Sequence, residues 1–182
     1  MVGIDMDMRI WLKLAGLLCI FLACMAAGME LERSMKLRWK FLWEMQELFQ
    51  ILENEMIFRH TAVCDALRYA AKGSKTCLHQ VLAAAAESVE AGDGTAFDKI
   101  WGKAVNDLVP KNLLNENEMQ VLYQAAASLC SSDTVMQRTL LNQNRDRFLQ
   151  LAKDAEREYR EKGSLIRRLS AAVGVFLVIL LI

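Results

Sequence analysis

The sequence predicts an all-α protein, an antiparallel helical bundle of about six helices set between an N-terminal and a C-terminal transmembrane helix. Three observations predict it. The 182-residue chain is 54% hydrophobic yet holds a single proline, Pro110, which favours long helices over sheet. Apolar residues recur at steps of three and four along most of its length. Both ends carry apolar runs: residues 10–29 are interrupted only by Lys13, and residues 169–182 hold no charge. The expected division is therefore a membrane segment over 1–29, a helical bundle over 30–164 and an anchor over 165–182.

The length of the first apolar segment suits a transmembrane helix. A cleaved signal peptide competes with that reading, because Arg9 and Lys13 precede a run that ends in Ala23-Cys-Met-Ala-Ala27. Phe21-Leu-Ala-Cys24 also resembles a lipoprotein cleavage box, with an aromatic residue at its first position. Flanking charge favours the membrane helix and gives its orientation. Arg33, Lys36, Arg38 and Lys40 follow the segment, against Glu30 and Glu32. Arg157, Arg160, Lys162, Arg167 and Arg168 precede the final run, against Glu158 and Glu161. The N-terminal tail sets Arg9 against Asp5 and Asp7. Positive-inside logic then places the middle of the chain in the cytoplasm and both termini on the far side. The final uncharged run is short for a hydrocarbon core of ~30 Å, but Leu165 and Ile166 extend it and Arg167 and Arg168 can snorkel to the headgroups.

Between the anchors the helices follow in order. The first, over about 34–58, carries Leu37, Phe41, Met45, Leu48, Leu52 and Met56 on one face and follows the membrane helix after a short break. Thr61 is expected as N-cap of a second helix using Val63, Ala66, Leu67 and Ala70. Gly73-Ser74 breaks the chain before a third, Ala-rich helix marked by Leu78, Leu82, Ala85 and Val89. Gly92 and Gly94 supply positive φ for a turn that Thr95 caps. Phe97, Ile100, Trp101, Ala104 and Leu108 define a fourth helix, closed off by Pro110. Asn115 with Glu118 reads as a capping box opening a fifth helix, with Met119, Leu122, Tyr123, Ala126 and Leu129 facing inward. Ser131, Ser132 and Asp133 then cap a last helix whose stripe is Met136, Leu140, Leu141, Asn144, Phe148, Leu151, Ala155 and Tyr159. Its residues 133–168 would form a rod of ~50 Å. No proline follows Asp133, so this rod is expected to continue through Gly163 into the anchor.

Chemistry is sparse. With 22 basic and 22 acidic residues the chain has no net charge and no basic footprint for nucleic acid. Five cysteines, an odd number without a CxxC, argue against a disulfide framework and fit a reducing compartment. His60, Cys64, Cys77 and His79 can be drawn as a zinc set, but their spacing matches no finger, and small buried cysteines with helix-end histidines are the plainer reading. Gly92-Asp-Gly94 lacks the preceding strand and following Lys of a phosphate loop. Glu53 and Glu55 stand two apart and diverge on a helix, so they cannot clamp one substrate atom. Trp39 and Trp43 fit an interfacial belt and bundle packing equally. No catalytic residue, metal, cofactor or small-molecule substrate is assigned.

Four blocks carry a family resemblance. Leu52-Glu-Asn-Glu-Met-Ile-Phe-Arg-His-Thr61, with Asp65 and Leu67 after it, resembles the L-E-x-E-I-x-Y-x-x-T-P-L-x-E-A-L stretch of the stage III sporulation protein AB family of endospore-forming bacteria. Gly92-Asp-Gly94 with Ala96, Trp101 and Ala104 resembles its G-x-G turn and following helix. Ser128-Leu-Cys-Ser-Ser-Asp133 with Gln137 is similar to T-L-G-x-S-D-x-x-x-Q. The tail, with Gly174 and Val178-Ile-Leu-Leu-Ile182, is similar to the family's G-x-x-x-G-x-x-x-V-I-L-L ending. Ala62 stands where the pattern has Pro, Arg59 where Gly is common, and Cys130 and Ser170 replace glycines. The resemblance implies structural or partner-binding roles for Leu52, Glu53, Glu55, Thr61, Asp65, Leu67, Gly92, Gly94, Asp133, Gln137 and Gly174. It implies a two-pass protein of the mother-cell membrane around the forespore, within the sporulation channel apparatus. The bundle would be similar to the cytoplasmic domain of type II secretion and type IV pilus platform proteins. The implied partners are a cytoplasmic AA-type sporulation ATPase and other stage III components. Two readings from other classes stand beside it, an exported single-anchor binding protein and a thiol or zinc enzyme.

Overall fold

The computed structural model describes the backbone of residues 2–92, 94–129 and 134–181, and side chains from residue 16 to 179 within those ranges, Leu17 excepted. The described residues form six α-helices and no strand: α1 (Val2–Leu52), α2 (Val63–Gly73), α3 (Leu78–Ala91), α4 (Phe97–Leu108), α5 (Glu116–Gln124) and α6 (Thr134–Leu181). A π-helical turn, Glu53–Phe58, extends α1, and a 3₁₀ turn, Ala125–Ser128, extends α5. The break expected after the first apolar segment does not exist. No Gly-Pro or Asn-Gly punctuation lies between residues 29 and 37, so nothing there outweighs continued backbone hydrogen bonding and α1 runs on. The expected continuity of the last helix through Gly163 is observed.

The chain divides into two compact units, Leu37–Glu156 and Met1–Lys36 with Arg157–Ile182. In the first, Phe41, Leu42, Met45, Leu48, Phe49 and Leu52 of α1 are buried with Leu141, Phe148, Ala152 and Ala155 of α6. Phe49 and Phe148 stack at 5.5 Å between ring centroids and join the two long helices. α2, α3 and α4 pack in sequence, with Ala66, Ala70, Ala85 and Ala86 buried where these neighbours approach. Trp101, 1% exposed, donates its indole N–H to the Leu122 carbonyl at 2.8 Å and pins α4 to α5. Three residues placed on the inward stripes are exposed instead: Leu37 within α1, Tyr123 in the last turn of α5 and Met136 in the first turn of α6.

Polar groups fix the turns. Gly92 and Gly94 adopt φ of 64° and 74°, where an added Cβ would be strained. Asn115 and Glu118 form a complete capping box, with side-chain to backbone distances of 2.8 and 3.0 Å. Glu118 is 1% exposed and also takes a forked pair from Arg38 of α1, the shortest contact being 2.8 Å. Glu44 accepts from the Ser74 hydroxyl at 2.6 Å and from the Thr76 hydroxyl and amide, fastening the α2–α3 link to α1. Neither Thr61 nor Thr95 is a cap. Ala62 and Ala96 occupy those N-cap positions without a side-chain acceptor, because each threonine lies one residue too early. The expected cap at Ser131, Ser132 and Asp133 lies outside the described residues.

In the other unit, α1 and α6 carry the apolar runs. Those runs reach into residues whose side chains lie outside the described set. Among the described residues, no helix is long and apolar enough to cross a membrane.

Candidate functional site

The residues of the first family block fold into a corner at the end of α1. The π-helical turn widens the last loop of the helix, and such insertions gather at functional positions. Glu53, 9% exposed, faces α6, where it accepts from Arg138 Nε at 3.3 Å and Asn142 Nδ2 at 3.1 Å and pairs with Arg145 at 3.5 Å. A buried carboxylate needs this many donors to offset its desolvation. Glu55 turns the other way. It accepts from Arg59 at 2.9 Å and from the Thr61 hydroxyl at 3.1 Å, while its backbone carbonyl takes the Thr61 amide. The hydrogen bond from Arg59 to the Glu55 carboxylate, with their charge attraction, holds the Arg59 guanidinium above its ordinary value. Between them His60 adopts φ of 53°, left-handed backbone that only a well-tied turn sustains in a non-glycine residue.

One apolar group of the corner stays outside. Phe58 is 60% exposed, and the Arg138 guanidinium lies 5.3 Å from its ring centroid. Aromatic and arginine side chains are the usual energetic anchors of protein interfaces. A cavity of about 340 Å³ opens at the start of α2, lined by Val63, Ser88, Val89, Gly92, Gly94, Thr95, Phe97, Ile100 and Leu129. Its wall therefore joins the start of α2, the glycine turn of the second block and the start of the third. Gln137 of that third block donates to the Leu129 carbonyl at 3.4 Å.

Of the sequence-expected residues, Leu52 and Leu67 are fully buried under the corner. Glu53, Glu55 and Thr61 form it. Asp65 is exposed and pairs with Arg68 at 3.9 Å. Gly92 and Gly94 lie at the cavity, and Gln137 closes the end of the 3₁₀ turn. Asp133 lies outside the described residues. Gly174 belongs to the other unit. Three residues escaped notice. Arg138, Asn142 and Arg145 recur at steps of four and three on α6, the one signal that they share a face with the buried stripe.

Among the described residues the histidines and cysteines form no common centre. The His79 ring nitrogen Nδ1 bonds the Ala71 carbonyl at 2.8 Å. Burial pushes the Cys77 thiol up, with Glu44 adding to the effect. Among the described residues no three His, Cys, Asp or Glu side chains gather as a metal site.

Residues 13–182 match a family model described as stage III sporulation protein AB. A solved structure of a stage III sporulation protein AB is similar over 69% of this chain and 93% of that chain, with 19% identity and a TM-score of 0.57. At that identity the likeness speaks for the fold. No curated protein matches the chain. The family model spans all four sequence blocks, most of α1 and all of α6, and the chain belongs to the stage III sporulation protein AB family.

Proposed function

We propose that this chain is a non-enzymatic, two-pass membrane scaffold of the stage III sporulation complex, whose bundle docks a cytoplasmic secretion-type ATPase at the Glu53–Gly94 corner. The carrying observation is that residues of three family blocks wall one cavity of about 340 Å³, while Phe58 of the first block stays exposed beside Arg138. Their polar atoms are spent on one another: Glu53 on α6, Glu55 on the turn, Gln137 on the Leu129 carbonyl. Groups so tied set a shape rather than turn over a substrate. What supports the membrane part is the uncharged run of residues 14–29 and that of 169–182, each with basic residues beside it. The proposed boundaries are segments 1–29 and 165–182 in the mother-cell membrane around the forespore, with 30–164 in the mother-cell cytoplasm.

The test is capture of the purified sporulation ATPase by the full-length chain in detergent, comparing Phe58→Asp with Asn106→Asp, an exposed change on α4. Phe58→Asp should weaken capture by tenfold or more, about 1.4 kcal/mol, as loss of an aromatic anchor does. Asn106→Asp should capture as the parent does. Equal capture by both variants would remove the corner as the docking face.

A further inference from the structure

The apolar ends of α1 and α6 meet along two short motifs of small residues, one on each helix. On α1 they are Cys24 and Gly28; on α6 they are Ser170 and Gly174. Each pair is spaced by four, so it faces one side of its helix. A Cβ built at Gly28 would lie 2.5 Å from the Ser170 Cβ and 3.8 Å from the Ile166 carbonyl oxygen. One built at Gly174 would lie 3.0 Å from the Phe21 ring and 3.4 Å from the Cys24 Cβ. Both glycines are buried in helices whose neighbouring residues are mostly exposed. The contacts are antiparallel, since α6 partners rise from Gly163 to Gly174 as α1 partners fall from Glu32 to Phe21.

Polar groups agree with the register. The Ser170 hydroxyl donates to the Ile166 carbonyl of its own helix at 2.9 Å, so it needs no other partner inside an apolar surround. Where the apolar runs end, Arg167 pairs with Glu32 at 3.6 Å. That pair stands at the depth where charged side chains reach headgroups if the runs lie in a bilayer.

We infer that the small face of α1 is the docking surface for this chain's own C-terminal helix, and that reciprocal small-xxx-small motifs lock the two membrane segments into one intramolecular hairpin. A second copy of the chain is the competing occupant, since small-residue faces also drive association between separate helices in lipid. Close backbone approach at Gly28 and the ion pair one turn beyond it both favour the internal partner. The hairpin rests on the membrane reading above only for its surroundings, not for its contacts.

Gly174→Cys tests it in the full-length chain, expressed in membranes with Cys19, Cys64, Cys77 and Cys130 replaced by Ser. The introduced thiol would face Cys24 at a Cβ separation close to the ~3.5–4.5 Å a disulfide requires. Mild oxidation should give a monomeric species with an internal disulfide. Phe176→Cys, on an exposed face of α6, should give none. Adding Gly28→Leu should slow the Gly174→Cys bridge by about tenfold or more, because its side chain forces the helices apart at Ser170. A covalent dimer in place of the internal bridge, or bridging as fast from Phe176→Cys, would overturn the inference. Carbonate extraction of the same sample separates the two readings: a bridged protein that washes off the membrane ends the anchoring reading and leaves the hairpin standing.

Discussion

At the scale of single residues, the stability of the bundle rests on two kinds of position. Leu52 and Leu67 have no exposed surface and lie under the corner, so Leu52→Ala or Leu67→Ala should cost about 2–4 kcal/mol by lost burial and the cavity left behind. Glu118 combines a helix cap with a buried ion pair, and its loss leaves Arg38 and the Asn115 amide without that acceptor. Glu118→Ala should therefore cost at least as much, about 3 kcal/mol or more. Denaturant midpoints of the full chain in detergent check all three, and an unchanged midpoint would take the residue concerned off the list of stabilising positions. The capping box was legible in the sequence because its partners are three residues apart. Glu53 was not. Its donors Arg138 and Asn142 stand 85 and 89 residues away, and no local rule foretells which carboxylate a distant helix will cover.

At the scale of elements, periodicity and punctuation located α2 to α6 well, since their ends coincide with Gly73-Ser74, Gly92, Gly94, Pro110 and Asn115. Helix length was misjudged at α1, where the change from apolar to amphipathic composition reads as a boundary but leaves backbone hydrogen bonding unbroken. The π-helical turn had no signature, because widening a helix by one residue answers to tertiary packing around Glu53 and Glu55 rather than to propensity. For α6, continuity through residues 163–168 has a mechanical consequence. Gly163→Ala gains helix propensity of ~1 kcal/mol, but its Cβ would lie 3.2 Å from the Tyr159 ring, so the ring must shift slightly and the net effect should be small. Ser164→Pro removes a hydrogen bond and clashes with the preceding turn, at a cost of ~3 kcal/mol. It should abolish spore formation with the protein still inserted, whereas Gly163→Ala sporulates. Normal sporulation by Ser164→Pro would show that stiffness at this junction is dispensable.

At the scale of the molecule, family membership and an all-helical bundle agree with the four blocks read from the sequence. The blocks were legible individually, but their convergence was not: Val63, Gly92, Gly94 and Leu129 share a cavity wall only because α2, α3 and α4 fold back on one another. The proposed scaffold role depends above all on which side of the membrane that corner faces. Cys64 and Cys77 are free, half-buried thiols in the bundle unit and report on it directly. The decisive measurement is labelling of the full-length protein in intact cells with a membrane-impermeant maleimide, repeated after permeabilisation. A two-pass protein with a cytoplasmic bundle predicts modification of Cys64 and Cys77 only after permeabilisation. Modification of either thiol in intact cells would contradict it.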